Sequence, residues 1–464
     1  MHQPLYKDPL TGEYLMPWAL LHGTKDYYDM AAILDEFPEV HQTFNLVPSL
    51  IEQLNDYAAG RATDTYRSLS LKPAQKLTRA DKAFLLKNFF QANWDNMIRP
   101  VGRYWELLRK RGASNEPDAI ETALRYFSGQ EYLDLQTLFN LVWIDPEIIR
   151  RDRFLTDLLL KGKSYTEAEK TGLLDKQIEI IKMILPKYRE LYDKGIVELT
   201  TSPYYHPIMP LLNDSDSAKV AMPYAAMPRE RFLHPEDAAA QLKKGMALFE
   251  AAFGRRPKGL WPPEGSVSFE VLPMIREEGI DWIASDEEIL ANTLRKPVRR
   301  DPAGHCHDPL IYKPYTVPAG DGQLAVFFRD HVISDRIGFD YAKMRPEDSA
   351  DELVARLMHI RGLVNDPSDH IVPIILDGEN AWENYRNDGR DFLVALYSKL
   401  SRHPHLQCVT FSEFMANGGL KGQERLQWLY PGSWINHNFK VWIGHAEDNT
   451  AWDYISAARD ALVK

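Results

Sequence analysis

The pattern of apolar and polar positions changes character near residue 195. Before it, apolar residues recur mostly at helical spacing. TRADKAFLLKNFFQANWDNMIRPVGRYWELLRKRG (78–112) keeps that spacing up to a glycine stop and predicts helix. LLDKQIEIIKMILPKYRELYDKG (173–195) predicts another, interrupted at Pro186. These helices read as one long insertion, about residues 60–190, following HQTFNLVPSLIEQL (41–54).

After residue 195, short apolar runs alternate with amphipathic helices. GIVELTT (195–201), the start of KGLWPPEG (258–265), IDWIASD (280–286), LAVFFRD (324–330), IVPIILD (371–377) and LQCVTF (406–411) read as strands. Between them lie the predicted helices 235–254, 268–279, 346–363 and 392–403. Strand–helix alternation implies parallel strands joined by crossover helices. Near-continuous apolar strands imply burial on both faces. A closed (β/α) barrel and an open doubly wound sheet both fit this α/β pattern.

In either architecture the functional site lies at the carboxyl ends of the strands. Asp377 follows IVPIIL directly, and Glu264 follows the short GLW strand. Asp286, Asp330 and Glu198 also fall at or near strand ends. Acids thus gather at one rim, as cleavage of a glycosidic bond requires. One carboxyl must protonate the leaving oxygen, while the other attacks the anomeric carbon or activates water.

Asp377 and Glu264 stand out because glycine and tryptophan flank each, in WPPEG and DGENAW. Trp can stack on a sugar ring, and an apolar wall can raise a carboxyl pKa. The spacing equally allows Asp377 and Glu379 to cap a helix or hold a loop. PYYHPIMPLL (203–212) sets His206 among three prolines and two tyrosines, a stiff, shaped loop. His206 can meet a sugar hydroxyl there, or be satisfied within the loop.

Composition narrows the partners. The chain has 464 residues, a net charge of −11 and a pI of about 5.7, which exclude a nucleic-acid or anionic-membrane partner. Two cysteines, Cys306 and Cys408, support neither a disulfide framework nor a zinc ribbon, and a reduced, cytoplasmic setting fits. No apolar run is long enough to cross a bilayer. Aromatic residues make up 11%, which suits either sugar platforms or a large core. His305, Cys306 and His307 are adjacent, and alternate side chains of an extended segment diverge, so they make a poor metal site. GxGxxG, Walker and GxSxG sequences are absent, and no cofactor is called for.

Taken together, MHQP (1–4), GIVELTTSPYYHPIMPLL (195–212), GLWPPEGSVS (259–268), HIVPIILDGENAWENY (370–385) and GSWINHNFKVWIGHAEDNTAWDYI (432–455) resemble the five characteristic regions of glycoside hydrolase family 57, in order. The resemblance is greatest to its amylopullulanase and α-amylase-like branch. It implies a retaining enzyme acting on α-glucans of the starch, glycogen or maltooligosaccharide type. It implies an incomplete (β/α)7-type barrel followed by a helical domain, with 1–420 as the barrel and its insertion and 421–464 as the start of the helical part.

The same resemblance makes Glu264 the nucleophile and Asp377 the acid/base. It puts His2, Glu198, His206, Trp261, Glu379 and Trp382 along the sugar subsites, and brings Trp434, Trp442, Glu447 and Asp448 in from the helical part. Glu379 can orient a hydroxyl, tune the acid or brace the loop. Family members carry a short strand before HQP, and this chain starts at Met1-His2, so the first barrel strand is expected to be missing. AWDYISAARDALVK (451–464) reads as an early helix of a domain only begun. A glucanotransferase or branching activity on the same site is an alternative. So are a metal-dependent mannosidase- or deacetylase-like enzyme and a glucan-binding remnant without turnover.

Overall fold

The computed structural model describes residues 1–463. The first two strands, β1 (Gln42–Asn45) and β2 (Val197–Thr200), pair in parallel. A parallel bridge between Thr201 and Leu260 carries the row on to β3 (Gly259–Leu260). From there β4 (Trp282–Asp286) and β6 (Gly322–Arg329) continue it in parallel, and β5 (Tyr315–Ala319) and β6 run antiparallel. A two-residue β7 (Glu424–Arg425) closes on β5. The chain is α/β, and its parallel row is that of an incomplete (β/α) barrel.

Phe44, Leu199, Leu260, Ile283 and Val326 face helices such as Pro235–Phe253 in one continuous core. The opposite face of β4 and β6 presents Trp282, Ala284 and Phe327 to Phe411 and Phe414. This is the period-two alternation of a sheet covered on both sides. The helical insertion has a separate core of its own, built on Phe89, Tyr104, Phe139 and Leu141.

Several predicted elements differ from what forms. The 78–112 segment is two helices, Arg79–Asn88 and Gly102–Arg111, with a single wide turn at Trp94–Ile98 between them. Asn93 causes the break: its side chain accepts from the amides of Asp95 and Asn96, in competition with the helix ladder. Conversely, Pro186 interrupts nothing. One helix runs Glu167–Asp193, started by a Thr166/Glu169 capping box. Pro186 lies on the exposed side, so the carbonyl it leaves unpaired, that of exposed Lys182, can meet water.

The two last predicted strands make no ladder. Residues 371–377 run beside β6, tied by Ile371 N–H to Tyr312 O at 2.8 Å and by Asp330 N–H to Pro373 O at 2.9 Å. Pro373 has no N–H to continue the pairing. Residues 406–411 end in a capping box, Thr410 with Glu413, that opens the helix Phe411–Ala416. Sequence patterning also passed over β1 and β5 as strands. Among the described residues no helix is long and apolar enough to cross a membrane.

Candidate active site

Glu264 sits in the loop after β3 with φ 56°, in the left-handed region. His206, in the loop after β2, has the same φ of 56°. Such a conformation costs a side-chain-bearing residue about 1–2 kcal/mol, and persists only where its surroundings over-determine it. They do so here. His206 is set by Tyr204 N–H to Gln241 O and Tyr205 N–H to Gln241 Oε1, both 3.0 Å. The 235–253 helix approaches this loop closely because position 245 is glycine: a Cβ there would lie 2.7 Å from Ser202 O. The Glu264 loop is stitched to the chain's last stretch. Val267 and Gly432 exchange backbone hydrogen bonds of 2.8 and 3.0 Å, and Trp434 N–H donates to Glu264 O at 3.0 Å.

Five acidic and imidazole groups converge. His2 Nε2 lies 3.6 Å from Glu264 Oε1, and His2 Nδ1 lies 3.9 Å from Asp377 Oδ1 and 3.7 Å from Glu379 Oε1. The two candidate catalytic carboxyls thus flank a single imidazole. His206 Nε2 reaches Glu264 Oε1 at 3.4 Å, and the two imidazoles stack with centroids 4.8 Å apart. On its other oxygen, Glu264 accepts from the indole Nε1–H of Trp434 at 3.0 Å. Trp261 stands edge-on to Trp434, 5.1 Å between centroids.

The two carboxyls are driven apart in acidity. Burial works to raise Glu264, but the His206 and Trp434 hydrogen bonds and the His2 charge outweigh it and hold the group below the ordinary glutamate value. At Asp377 burial prevails. His2 opposes it, Glu379 reinforces it, and the net effect lifts the group above the ordinary aspartate value. Asn380 Nδ2 donates to Asp377 Oδ2 at 2.7 Å and fixes its orientation. Burial holds His206 below the ordinary histidine value, against the opposing Glu264 carboxylate, and so favours the neutral imidazole. Two titratable groups pushed in opposite directions are the signature of an acid and a base sharing one site.

The remaining sequence candidates lie as follows. Glu379 is buried: its Oε1 accepts from His2 N–H at 2.8 Å and from Tyr27 O–H at 3.3 Å. Glu198 points into the barrel interior, where Trp282 Nε1–H at 3.0 Å and Ser412 N–H at 3.1 Å occupy its oxygens. Trp382 is buried against Tyr385, with its N–H on Gly378 O at 2.9 Å. Trp442 packs with Ile208 and Leu211 under the His206 loop. Glu447 is exposed and Asp448 half-buried, both in the first turn of the helix Ala446–Val463. His305 pairs with Asp301 at 3.0 Å and Cys306 is buried, so that run forms no joint ligand set.

Sequence reasoning passed over Arg329 and Asn380. The guanidinium of Arg329 lies 4.9 Å from the Trp434 ring centroid, backed by Asp286 at 3.3 Å. Arg329 ends a strand, as Asp286 does, and that position was the available signal. Two sets of ligand-type atoms lie within 4.8 Å of one another: His2, His206 and Glu264, and Asp286, His331 and His437. In the second, His331 is pinned between Asp286 at 3.3 Å and Asp335 at 2.8 Å, hydrogen bonds that raise it to about 10. An imidazolium has no lone pair to give a metal. In the first, Glu264 gives one oxygen to the Trp434 indole.

Fold and site define a (β/α)-barrel protein of the glycoside-hydrolase type, with two carboxyls of opposed acidity facing one imidazole. The chain belongs to glycosyl hydrolase family 57, whose sequence profile matches residues 1–427. A 1,4-alpha-glucan branching enzyme of Thermococcus kodakarensis is 35% identical over 81 residues, 18% of this chain and 9% of that protein. The fold resembles that of a branching enzyme from the same archaeon at a TM-score of 0.58 and 17% identity, covering 99% of this chain and 77% of the other. It also resembles a branching enzyme from Pyrococcus horikoshii (TM-score 0.55, 16% identity, 97% and 75% covered). An α-amylase from Thermotoga maritima is similar as well (TM-score 0.51, 14% identity, 95% and 77% covered).

Proposed function

We propose that the protein is a retaining enzyme of α-linked glucans, working by double displacement. The observation that carries this is the opposed acidity of Glu264 and Asp377 on either side of His2. Glu264 is held below the ordinary glutamate value and gives up its proton more readily, as a nucleophile must. Asp377 holds its proton longer, as a general acid must.

In the first step Glu264 attacks the anomeric carbon while Asp377 protonates the departing oxygen. In the second, Asp377 as carboxylate takes a proton from the incoming hydroxyl, and the ester to Glu264 breaks. The indole of Trp434 and the imidazole of His206 hold the two Glu264 oxygens in place. Membership of the family and the fold shared with α-glucan enzymes support the substrate class. Water as acceptor makes the protein an α-amylase or amylopullulanase; a sugar hydroxyl makes it a glucanotransferase or branching enzyme.

The test is a product profile on amylose, pullulan and glycogen, with the anomeric configuration of fresh products followed by NMR. Retained α-configuration, abolished by Glu264→Gln, is the expected result. Inverted products, or turnover unchanged in Glu264→Gln, overturn the reading.

A further inference from the structure

His2, His206 and Glu264 each turn one ligand-type atom to a common point, all three within 4.8 Å of one another. His2 Nε2 lies 3.6 Å and His206 Nε2 3.4 Å from Glu264 Oε1. Nitrogen and oxygen ligands bound to a tetrahedral ion stand about 3.3–3.5 Å apart, and two imidazoles sharing such an ion hold their centres about 5 Å apart. Both separations from the carboxylate oxygen come within a few tenths of an ångström of that spacing. The two ring centroids, 4.8 Å apart, agree with it as well.

The three donors are fixed in advance. His206 and Glu264 share the constrained φ of 56°. His2 is anchored by its own N–H on Glu379 Oε1 at 2.8 Å, and its neighbour Gln3 accepts from Ser49 Oγ at 2.9 Å. The Trp434 indole takes Glu264 Oε2, so Oε1 is the oxygen left facing both imidazoles. His206 Nδ1 has no hydrogen-bond partner among the described residues, so nothing on that side fixes the tautomer, and Nε2 can present its lone pair.

The surroundings favour a cation. His2 Nδ1 faces Glu379 Oε1 at 3.7 Å and Asp377 Oδ1 at 3.9 Å. A carboxylate beside the far nitrogen of an imidazole orients the ring and makes its near nitrogen a better metal ligand. The Met1 ammonium, 3.9 Å from Glu379 Oε2, offsets part of this negative charge. The His2 side chain is 26% exposed and that of Glu264 17%, so an ion has a route in and water can fill a fourth position.

We propose that His2, His206 and Glu264 bind one divalent transition-metal ion of the zinc class, and that the bound ion takes the Glu264 carboxylate out of reaction. Two imidazoles and one carboxylate suit Zn²⁺, Cu²⁺, Ni²⁺ or Co²⁺, whereas Ca²⁺ and Mg²⁺ take oxygen ligands. Under the function proposed above, Oε1 is the oxygen that attacks the anomeric carbon, and the ion occupies its lone pair. The binding does not depend on that function; the inhibition does.

The test is titration of the whole chain with Co²⁺ alone, read by the visible absorption of the four-coordinate ion and by equilibrium dialysis, with Zn²⁺ as competitor. One ion binds per chain. His206→Ala and Glu264→Gln each weaken binding more than about tenfold, and His405→Ala, which removes an exposed imidazole, leaves it unchanged. With maltotetraose as substrate, Zn²⁺ inhibits competitively and EDTA restores turnover. No binding, binding unchanged in folded His206→Ala and Glu264→Gln, or binding lost in His405→Ala (an adventitious surface ion only) overturns the site. Turnover unaffected by saturating Zn²⁺ overturns the inhibition. A chain that binds Co²⁺ at these residues yet turns over no glucan overturns the function proposed above and the inhibition with it, and leaves the metal site standing.

Discussion

Trp434 donates its indole N–H to Glu264 across 170 positions of sequence, at 3.0 Å. The contact exists because Val267 and Gly432 pair as a two-residue antiparallel bridge, which lays the late segment over the Glu264 loop. A hydrogen bond to a charged group contributes about 1.5–3 kcal/mol, so the indole stabilises the ionised carboxylate. In Trp434→Phe the Glu264 pKa rises. The acid limb of the kcat/KM–pH profile moves up accordingly, while the basic limb stays. An acid limb unmoved within error would separate the indole from the nucleophile.

The paired shifts set the pH profile of the wild-type protein. Activity needs Glu264 deprotonated and Asp377 protonated. Glu264 lies below its ordinary value, so activity persists into mild acid. Asp377 lies above its ordinary value, so activity declines only as pH rises through that raised pKa. The expected kcat/KM curve is a bell on the acid side of neutrality. Replacing Asp377 by Asn removes the basic limb and lowers kcat on glucans by about 10²–10⁴-fold.

Glu198 separates a structural from a substrate-binding role. Trp282 Nε1–H and Ser412 N–H both point at its carboxylate. Glu198→Gln turns an NH₂ toward one of these donors and leaves a buried donor unmet, at a cost of about 1–3 kcal/mol. The expected result is a lower melting temperature with KM for maltooligosaccharides within twofold of wild type. A large KM change at unchanged stability would place the residue against sugar.

Lys25 is buried between Asp26, at 3.0 Å, and Asp388. Burial lifts Asp388 to about 7 even with the lysine opposing it. Lys25→Met strands two buried acids and destabilises the fold by about 3–5 kcal/mol, measurable by urea denaturation. The double variant Lys25→Met, Asp388→Asn recovers part of that loss, because the residues are in contact and their effects do not add.

Much of this molecule was legible in one dimension. The 235–253 and 346–363 helices and strands β2, β4 and β6 follow from periodicity, because the repeat that buries an apolar face is written locally. The break at Asn93 and the continuity through Pro186 were not. Each depends on what surrounds the backbone: a side chain competing for amides in one case, a solvent-facing ring in the other. The 371–377 run shows the limit of an apolar pattern. Its residues pack as a strand would, but Pro373 and its neighbours leave it without a ladder.

By itself the sequence determined the α/β class, the family, and the two acids that end up flanking His2, because these lie in short motifs beside strands. The tertiary structure alone decided which acid gives up its proton more readily. That difference comes from burial, from the Trp434 indole and from imidazoles far apart in sequence. It alone also joined Trp18, Trp143 and Asn380 around one cleft. A carboxyl's acidity and a pocket's walls are properties of what lies within a few ångströms in space, and chain position does not fix that neighbourhood.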